Sequence, residues 1–210
     1  MLKPVDIILE NCPYDVFTDT ELVELISGTD ASRYNKLKRA IAHKEIIQIR
    51  RGLYQLAKRY QRRGLNLYEL ANKIYGPSYV SFESALSYHG LIPEAVYSVV
   101  SASAKRACEF NTLCGVFAYS QIPIRVFYEG VERIEKNGFI FLIASPLKAI
   151  TDYVYTNKLN WVGIQPLIES LRIEKEDLKF ELKEINELKA GYSTARISRF
   201  LTGLERDLKL

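Results

Sequence analysis

Histidine, cysteine and long apolar runs are all scarce in this chain, and each scarcity closes off a class of function. The only histidines are His43 and His89. No His-bearing metal helix motif, glycine-rich phosphate loop or strand–Gly–Ser elbow occurs. The three cysteines, Cys12, Cys108 and Cys114, are odd in number and match no zinc spacing. They are expected to be reduced thiols in a cytoplasmic protein. Ser84 and Ser87 share a segment with His89, but neighbouring helical positions do not form a nucleophile–base pair, and His89 before Gly90 reads as a helix-terminal residue. Glu83, Asp152 and Glu169 are the carboxylates that a fold would have to gather for acid-dependent chemistry. The sequence therefore predicts no enzyme, cofactor or metal. The longest apolar run, Phe139 to Ala144, is too short to cross a bilayer, and the start of the chain does not read as a signal peptide. No membrane partner is expected.

Acidic residues are scarce in one place only. Between Ala31 and Arg63 there are eleven Lys or Arg and one acid, Glu45. The whole 210-residue chain carries 29 basic and 25 acidic side chains. A segment at +10 in a chain at +4 is an electrostatic footprint for a polyanion.

The local signals place that segment on defined elements. Pro4 to Asn11 has Val5, Ile8 and Leu9 at helical spacing. Thr18-Asp-Thr-Glu21 is a capping box that opens a second helix, and Ser27-Gly28-Thr29 breaks it. Thr29 or Asp30 caps a third helix running to about Lys44, with Tyr34, Leu37 and Ile41 as its apolar side. Opposite lie Ser32, Asn35, Lys36, Arg39 and His43, hydrogen-bonding or cationic types suited to phosphates and base edges. Ile46 to Arg50 and Leu53 to Leu56 form a hairpin with Gly52 at the turn position needing positive φ. Arg50 and Arg51 stand at its tip. This order and charge predict an N-terminal winged helix-turn-helix over residues 1–64, binding double-stranded DNA through Ser32, Arg33, Asn35, Lys36, Arg39, His43, Arg50 and Arg51.

Residues 65–210 are expected to form a larger α+β domain, a small sheet flanked by helices. Helices are predicted from Asn66, at Phe82–His89 with Ser81 as cap, from Ser145-Pro146, and over Trp161–Leu171, Asp177–Ala190 and Thr194–Leu208. Strands are predicted over Tyr97–Ser101, Cys108–Leu113, Val116–Ile122 and Phe139–Ile143. The aromatics of this part, Tyr79, Phe82, Phe117, Tyr119 and Phe127 among them, read mostly as core.

Three segments together resemble the AbiEi family: Ile49-Arg-Arg-Gly-Leu-Tyr54, Ser81-Phe-Glu-Ser-Ala-Leu-Ser-Tyr-His-Gly-Leu-Ile-Pro93 and Ala144-Ser-Pro-Leu-Lys-Ala-Ile-Thr-Asp152. The resemblance extends roughly from Phe17 to Tyr155. Family members usually show Glu-Lys-Ala where this chain has Leu147-Lys148-Ala149. AbiEi proteins are antitoxins of type IV toxin–antitoxin, abortive-infection modules. The resemblance implies autorepression through inverted repeats at the chain's own promoter. It also implies a second domain that counteracts an AbiEii-type nucleotidyltransferase toxin, without necessarily forming a stable complex with it. Residue patterns alone leave two alternatives: a repressor whose second domain senses a small ligand, and a carboxylate-dependent nuclease.

Overall fold

A computed structural model describes residues 3–93 and 97–209. It is a mixed α+β structure containing a three-stranded and a six-stranded sheet. The chain divides into two compact units, residues 3–70 with Thr112–Cys114, and the remainder. The division falls inside a helix, beyond the boundary at 64 expected from the sequence.

The first unit runs α1 (Pro4–Asn11), β1 (Val16–Thr18), α2 (Asp19–Leu25), α3 (Asp30–Ala42), β2 (Ile46–Arg50) and β3 (Leu53–Leu56). Pro4 at the start of α1 costs no hydrogen bond, because the first helical amides have no partner within the helix. The Thr18 capping box forms at both ends: the Glu21 N–H donates to Thr18 Oγ1 at 3.3 Å, and the Thr18 N–H donates to the Glu21 carboxylate at 2.6 Å. Thr29 is the cap of α3, accepting the Ser32 N–H. The turns at Gly28 (φ +122°) and Gly52 (φ +78°) occupy backbone regions that a Cβ would strain. The sheet is antiparallel in the order β1-β3-β2, with the hairpin register slipping between Gln48 and Arg50. Such a slip bends and twists the strand near the hairpin tip.

Val5, Ile8, Phe17, Leu22, Ile26, Leu37, Ala40, Ile46 and Leu56 form the core of this unit. Burying one such Leu, Ile or Phe side chain stabilises by roughly 1.5–3 kcal/mol before cavity effects. The inward side of α3 differs from expectation. Leu37 and Ala40 are buried and Ile41 is partly so, but Tyr34 is 65% exposed. At about 100° per residue, Ala40 lies on the other side of Leu37 from Tyr34, so burying Ala40 rotates the tyrosine towards solvent.

The stretch after the hairpin is a structured strap, containing a short 3₁₀ turn at Lys58–Tyr60. The Asp15 carboxylate accepts the backbone N–H groups of Arg62 and Arg63, and the Arg62 guanidinium donates to the carbonyls of Leu9 and Cys12 at the end of α1. Arg59 donates to the His43 carbonyl at the end of α3. Part of the segment's positive charge is thus committed to closing the first unit, where it caps carbonyls that α1 and α3 cannot satisfy alone.

In the second unit, α4 (Leu67–Ile74) is followed by β4 (Ser78–Val80), α5 (Phe82–Tyr88), β5 (Ser98–Ser103), β6 (Cys108–Thr112), β7 (Gly115–Gln121), β8 (Val131–Lys136), β9 (Phe139–Ala144), α6 (Pro146–Thr156), α7 (Gln165–Leu171), α8 (Leu182–Tyr192) and α9 (Ala195–Leu208). The first residues of α4 belong to the first unit. The sheet order is β6-β7-β5-β4-β9-β8. β4 pairs antiparallel with β5 and parallel with β9, β5 pairs parallel with β7, and β8 pairs antiparallel with β9. The sheet is larger than expected because β4 and β8 carry no clear strand signal. β4 is three fully buried residues, too short to show alternation. β8, Val-Glu-Arg-Ile-Glu-Lys, is a charged edge strand, a composition that discourages pairing with other chains.

The helix predicted over Trp161–Leu171 forms only from Gln165, after Gly163 at φ +68° and with Pro166 in its first turn. The helix predicted from Asp177 starts at Leu182. Ser145 and Thr194 cap α6 and α9 through their side chains. Ser81 stands at the cap position of α5, but its hydroxyl makes no cap and donates instead to Asp152, 2.7 Å away.

Candidate nucleic-acid interface

The candidate interface lies on α3 and the β2–β3 hairpin of the first unit. Its side chains fall into three sectors around α3. Leu37 and Ala40 point inward. Ser32, Lys36, Arg39 and His43 share a groove with Lys3, Pro4 and Glu45, at the start of α1. Tyr34 shares a second cleft with Val23 of α2, Gln48 of β2, Arg51 of the hairpin tip and Tyr54 of β3.

The predicted contact residues are not equally available. Asn35, Arg39, His43 and Arg51 are exposed, and Ser32 is half-buried. The Arg39 Nε–H turns back to the Asn35 carbonyl at 3.3 Å. Lys36 donates to the Ser27 carbonyl at 3.1 Å, which ties its ammonium to the α2–α3 turn. The Arg33 side chain is only 19% exposed and is held by the Asp30 carboxylate and the Gly28 carbonyl. Arg50 is half-buried: one terminal nitrogen donates to the Arg51 carbonyl at 2.9 Å, and its Nε is buried without a partner. Glu45, the one acid of the basic segment, is largely withdrawn from solvent and ion-paired with Lys3 at 3.4 Å. The exposed surface of α3 beyond its first residue is consequently free of acid, with Lys38 and Arg39 as exposed cations. The sequence reading did not single out Lys38 or Gln48, and it placed Tyr34 in the core. A helical wheel cannot show where the hairpin lies.

The hairpin is anchored to α2. The Asp19 N–H donates to the Gly52 carbonyl at 3.2 Å, and the Asp19 carboxylate lies near the Tyr54 hydroxyl. Burial, then the Asp19 charge, raises the Tyr54 pKa above its usual value. These contacts give the arginine-tipped turn a defined position beside α3.

The second unit contains a buried polar cluster that no sequence pattern indicated. Lys148 and Asp152, one helical turn apart on α6, are fully buried with Nζ and Oδ1 3.0 Å apart. Asp152 also accepts hydrogen bonds from Tyr79 at 2.9 Å, Ser81 at 2.7 Å and Tyr192. Lys148 donates to the Tyr192 hydroxyl at 3.0 Å. Burial pushes the Lys148 ammonium below its usual range, against the attraction of Asp152, while burial and the Asp152 charge hold both tyrosines well above theirs. A charge pair removed from water persists when its remaining hydrogen-bonding capacity is filled, which three hydroxyls accomplish here. The cluster joins β4, the start of α5, α6 and α8.

Asp152 is thus occupied structurally. Glu169 is exposed and accepts from Gln165, and His89 bonds through Nε2 to the Ala144 carbonyl at 2.9 Å rather than to its own helix end. Among the described residues, no three His, Cys, Asp or Glu side chains gather in a metal-holding group, and no helix is long and apolar enough to cross a membrane. No protein-family description matches the chain, and no curated protein is significantly similar to it.

Proposed function

We propose that the first unit is a winged helix-turn-helix that binds double-stranded DNA. We further propose that the chain is the autorepressor and antitoxin of a type IV toxin–antitoxin pair, opposing a nucleotidyltransferase toxin in the cytoplasm. The observation that carries the DNA-binding half is one arrangement: an acid-poor outer surface of α3 bearing Asn35, Lys38 and Arg39 beside an arginine-tipped hairpin. The helix–strand–helix–helix–hairpin order, with its β1-β3-β2 sheet, supports the same reading. A helix inserted in the major groove reads base edges, while a flanking hairpin contacts the backbone.

The antitoxin half rests on the AbiEi resemblance of the three segments. Two of them, 81–93 and 144–152, supply Ser81, Lys148 and Asp152 to the buried cluster, so the resemblance includes residues that build the second unit's interior. Nothing in this reading requires a cofactor or a catalytic step.

The test uses the full-length chain with its own promoter DNA and the toxin gene expected beside it. Footprinting should show protection of an inverted repeat, and coexpression should restore growth to cells making the toxin. Binding with no preference for the promoter, or growth arrest unchanged by coexpression, would overturn the corresponding half.

A further inference from the structure

We infer that the DNA-facing surface of α3 is the flank nearest the hairpin, so that Tyr34, Lys38 and Gln48 contact the duplex together with Arg51, while Lys36 and His43 do not. The inference rests on the DNA-binding reading above and specifies which side of the helix performs it.

Leu37 fixes the inward direction of α3. At about 100° per residue, Tyr34 and Lys38 lie on one flank and Lys36 and His43 on the other, with Asn35 and Arg39 near the outward crest. The neighbouring elements identify the flanks. Tyr34 shares its cleft with Gln48 and Arg51, whereas Lys36 and His43 share theirs with Lys3 and Pro4. The hairpin is tied to α2 through Asp19 and Gly52, so its position beside α3 is set within the unit. A duplex that meets both the helix and the hairpin must approach through the sector between them. The major groove admits one helix, about 12 Å across, and the sugar-phosphate strand bordering it then passes over that sector.

The chemistry of the sector fits a phosphodiester strand. Tyr34 is 65% exposed and presents a hydroxyl. Lys38 and Arg51 are exposed cations and Gln48 an exposed amide. Two acids, Asp19 and Asp30, also line the cleft: Asp30 is paired with Arg33, and Asp19 lies against the hairpin turn, its N–H donating to the Gly52 carbonyl. The strand is therefore expected to cross nearer Lys38 and Gln48. On the opposite flank, Lys36 is already bonded to the Ser27 carbonyl.

The test measures the affinity of full-length variants for a mixed-sequence 30-base-pair duplex by fluorescence anisotropy across a salt series. Lys38→Ala should weaken binding by about 3- to 10-fold and lower the salt slope by about one, since one phosphate contact and its counterion release are lost. Tyr34→Phe and Gln48→Ala should weaken binding by about 2- to 5-fold with the slope unchanged, because each removes a neutral hydrogen bond. Lys36→Ala and His43→Ala should stay within about 2-fold of wild type. All five positions are at least partly exposed, and matched thermal melts establish that each variant is folded. Larger losses at Lys36 and His43, equal losses on both flanks, or no loss on the hairpin flank would overturn the inference while leaving DNA binding in place. Failure of the wild-type chain to bind any duplex at low salt would remove the DNA-binding reading itself, and this inference with it.

Discussion

Asp15 holds Arg62 by its backbone: the carboxylate accepts the Arg62 N–H at 3.0 Å, and the Arg62 guanidinium then reaches the carbonyls of Leu9 and Cys12. One buried acid thereby fastens the strap that follows the hairpin across the end of α1. Replacing a buried, multiply bonded acceptor costs about 1–3 kcal/mol. Asp15→Ala should lower stability by about that amount in urea denaturation, with Asp15→Asn intermediate. At a temperature where the variant is fully folded, its DNA affinity should equal that of wild type. An unchanged denaturation midpoint would show that the strap contributes nothing to the first unit.

The buried pair on α6 makes an asymmetric prediction. Asp152→Ala leaves the Lys148 ammonium buried without its counter-charge, and breaking such a pair typically costs about 3–5 kcal/mol. Lys148→Met removes the cation but leaves Asp152 its three hydroxyl donors, so it should cost less. Chemical denaturation of the two variants decides the order. If Lys148→Met is the more damaging, the hydroxyls do not sustain the carboxylate alone.

The same cluster predicts alkaline behaviour. Tyr79 and Tyr192 are raised well above 10.0 by burial and then by Asp152, so the folded chain retains protons that the unfolded chain releases. Their contribution to stability is complete below about pH 10 and falls as pH rises beyond it. Lys148 acts in the opposite direction between its lowered value and 10.5, partly offsetting the tyrosines there. Of the fourteen tyrosines, these two should ionise only as the protein unfolds. Phenolate absorbance and circular dichroism recorded through the same titration should show that coincidence. Full tyrosine ionisation in a folded chain would contradict it.

Repression and protection should separate in the full-length protein. Arg39→Ala on the α3 crest should relax operator discrimination by roughly 1–3 kcal/mol at one or two base pairs, whereas Arg51→Ala should weaken operator and random DNA about equally. The double variant should derepress a promoter fusion yet still restore growth against the toxin. Protection lost in parallel with repression would mean that rescue acts through DNA, against an antitoxin role for the second unit.

Charge shows how far linear sequence could be trusted. The basic segment has an acidic remainder, which suggests an acidic second domain. Counted by unit, residues 1–70 with 112–114 hold twelve cations and nine acids, and the rest hold seventeen and sixteen. The second unit is therefore nearly neutral. The acids that offset the basic segment lie mainly on or beside α1 and α2, so the first unit contains both signs of charge.

What the sequence by itself determined were features settled within a few residues: the Thr18–Glu21 box, the Thr29, Ser145 and Thr194 caps, the Gly52 turn and the acid-poor run that includes α3. Each is decided by contacts between near neighbours, which a chain carries before it folds. Only the tertiary structure decided that Tyr34 turns outward, that β4 and β8 join the sheet, that Arg62 closes the end of α1, and that Lys148 and Asp152 are buried together under two tyrosines. Helical periodicity gives the angle between two side chains but not which neighbour occupies either flank. That depends on packing between distant segments, and the same packing places the hairpin beside Tyr34 and α1 beside Lys36.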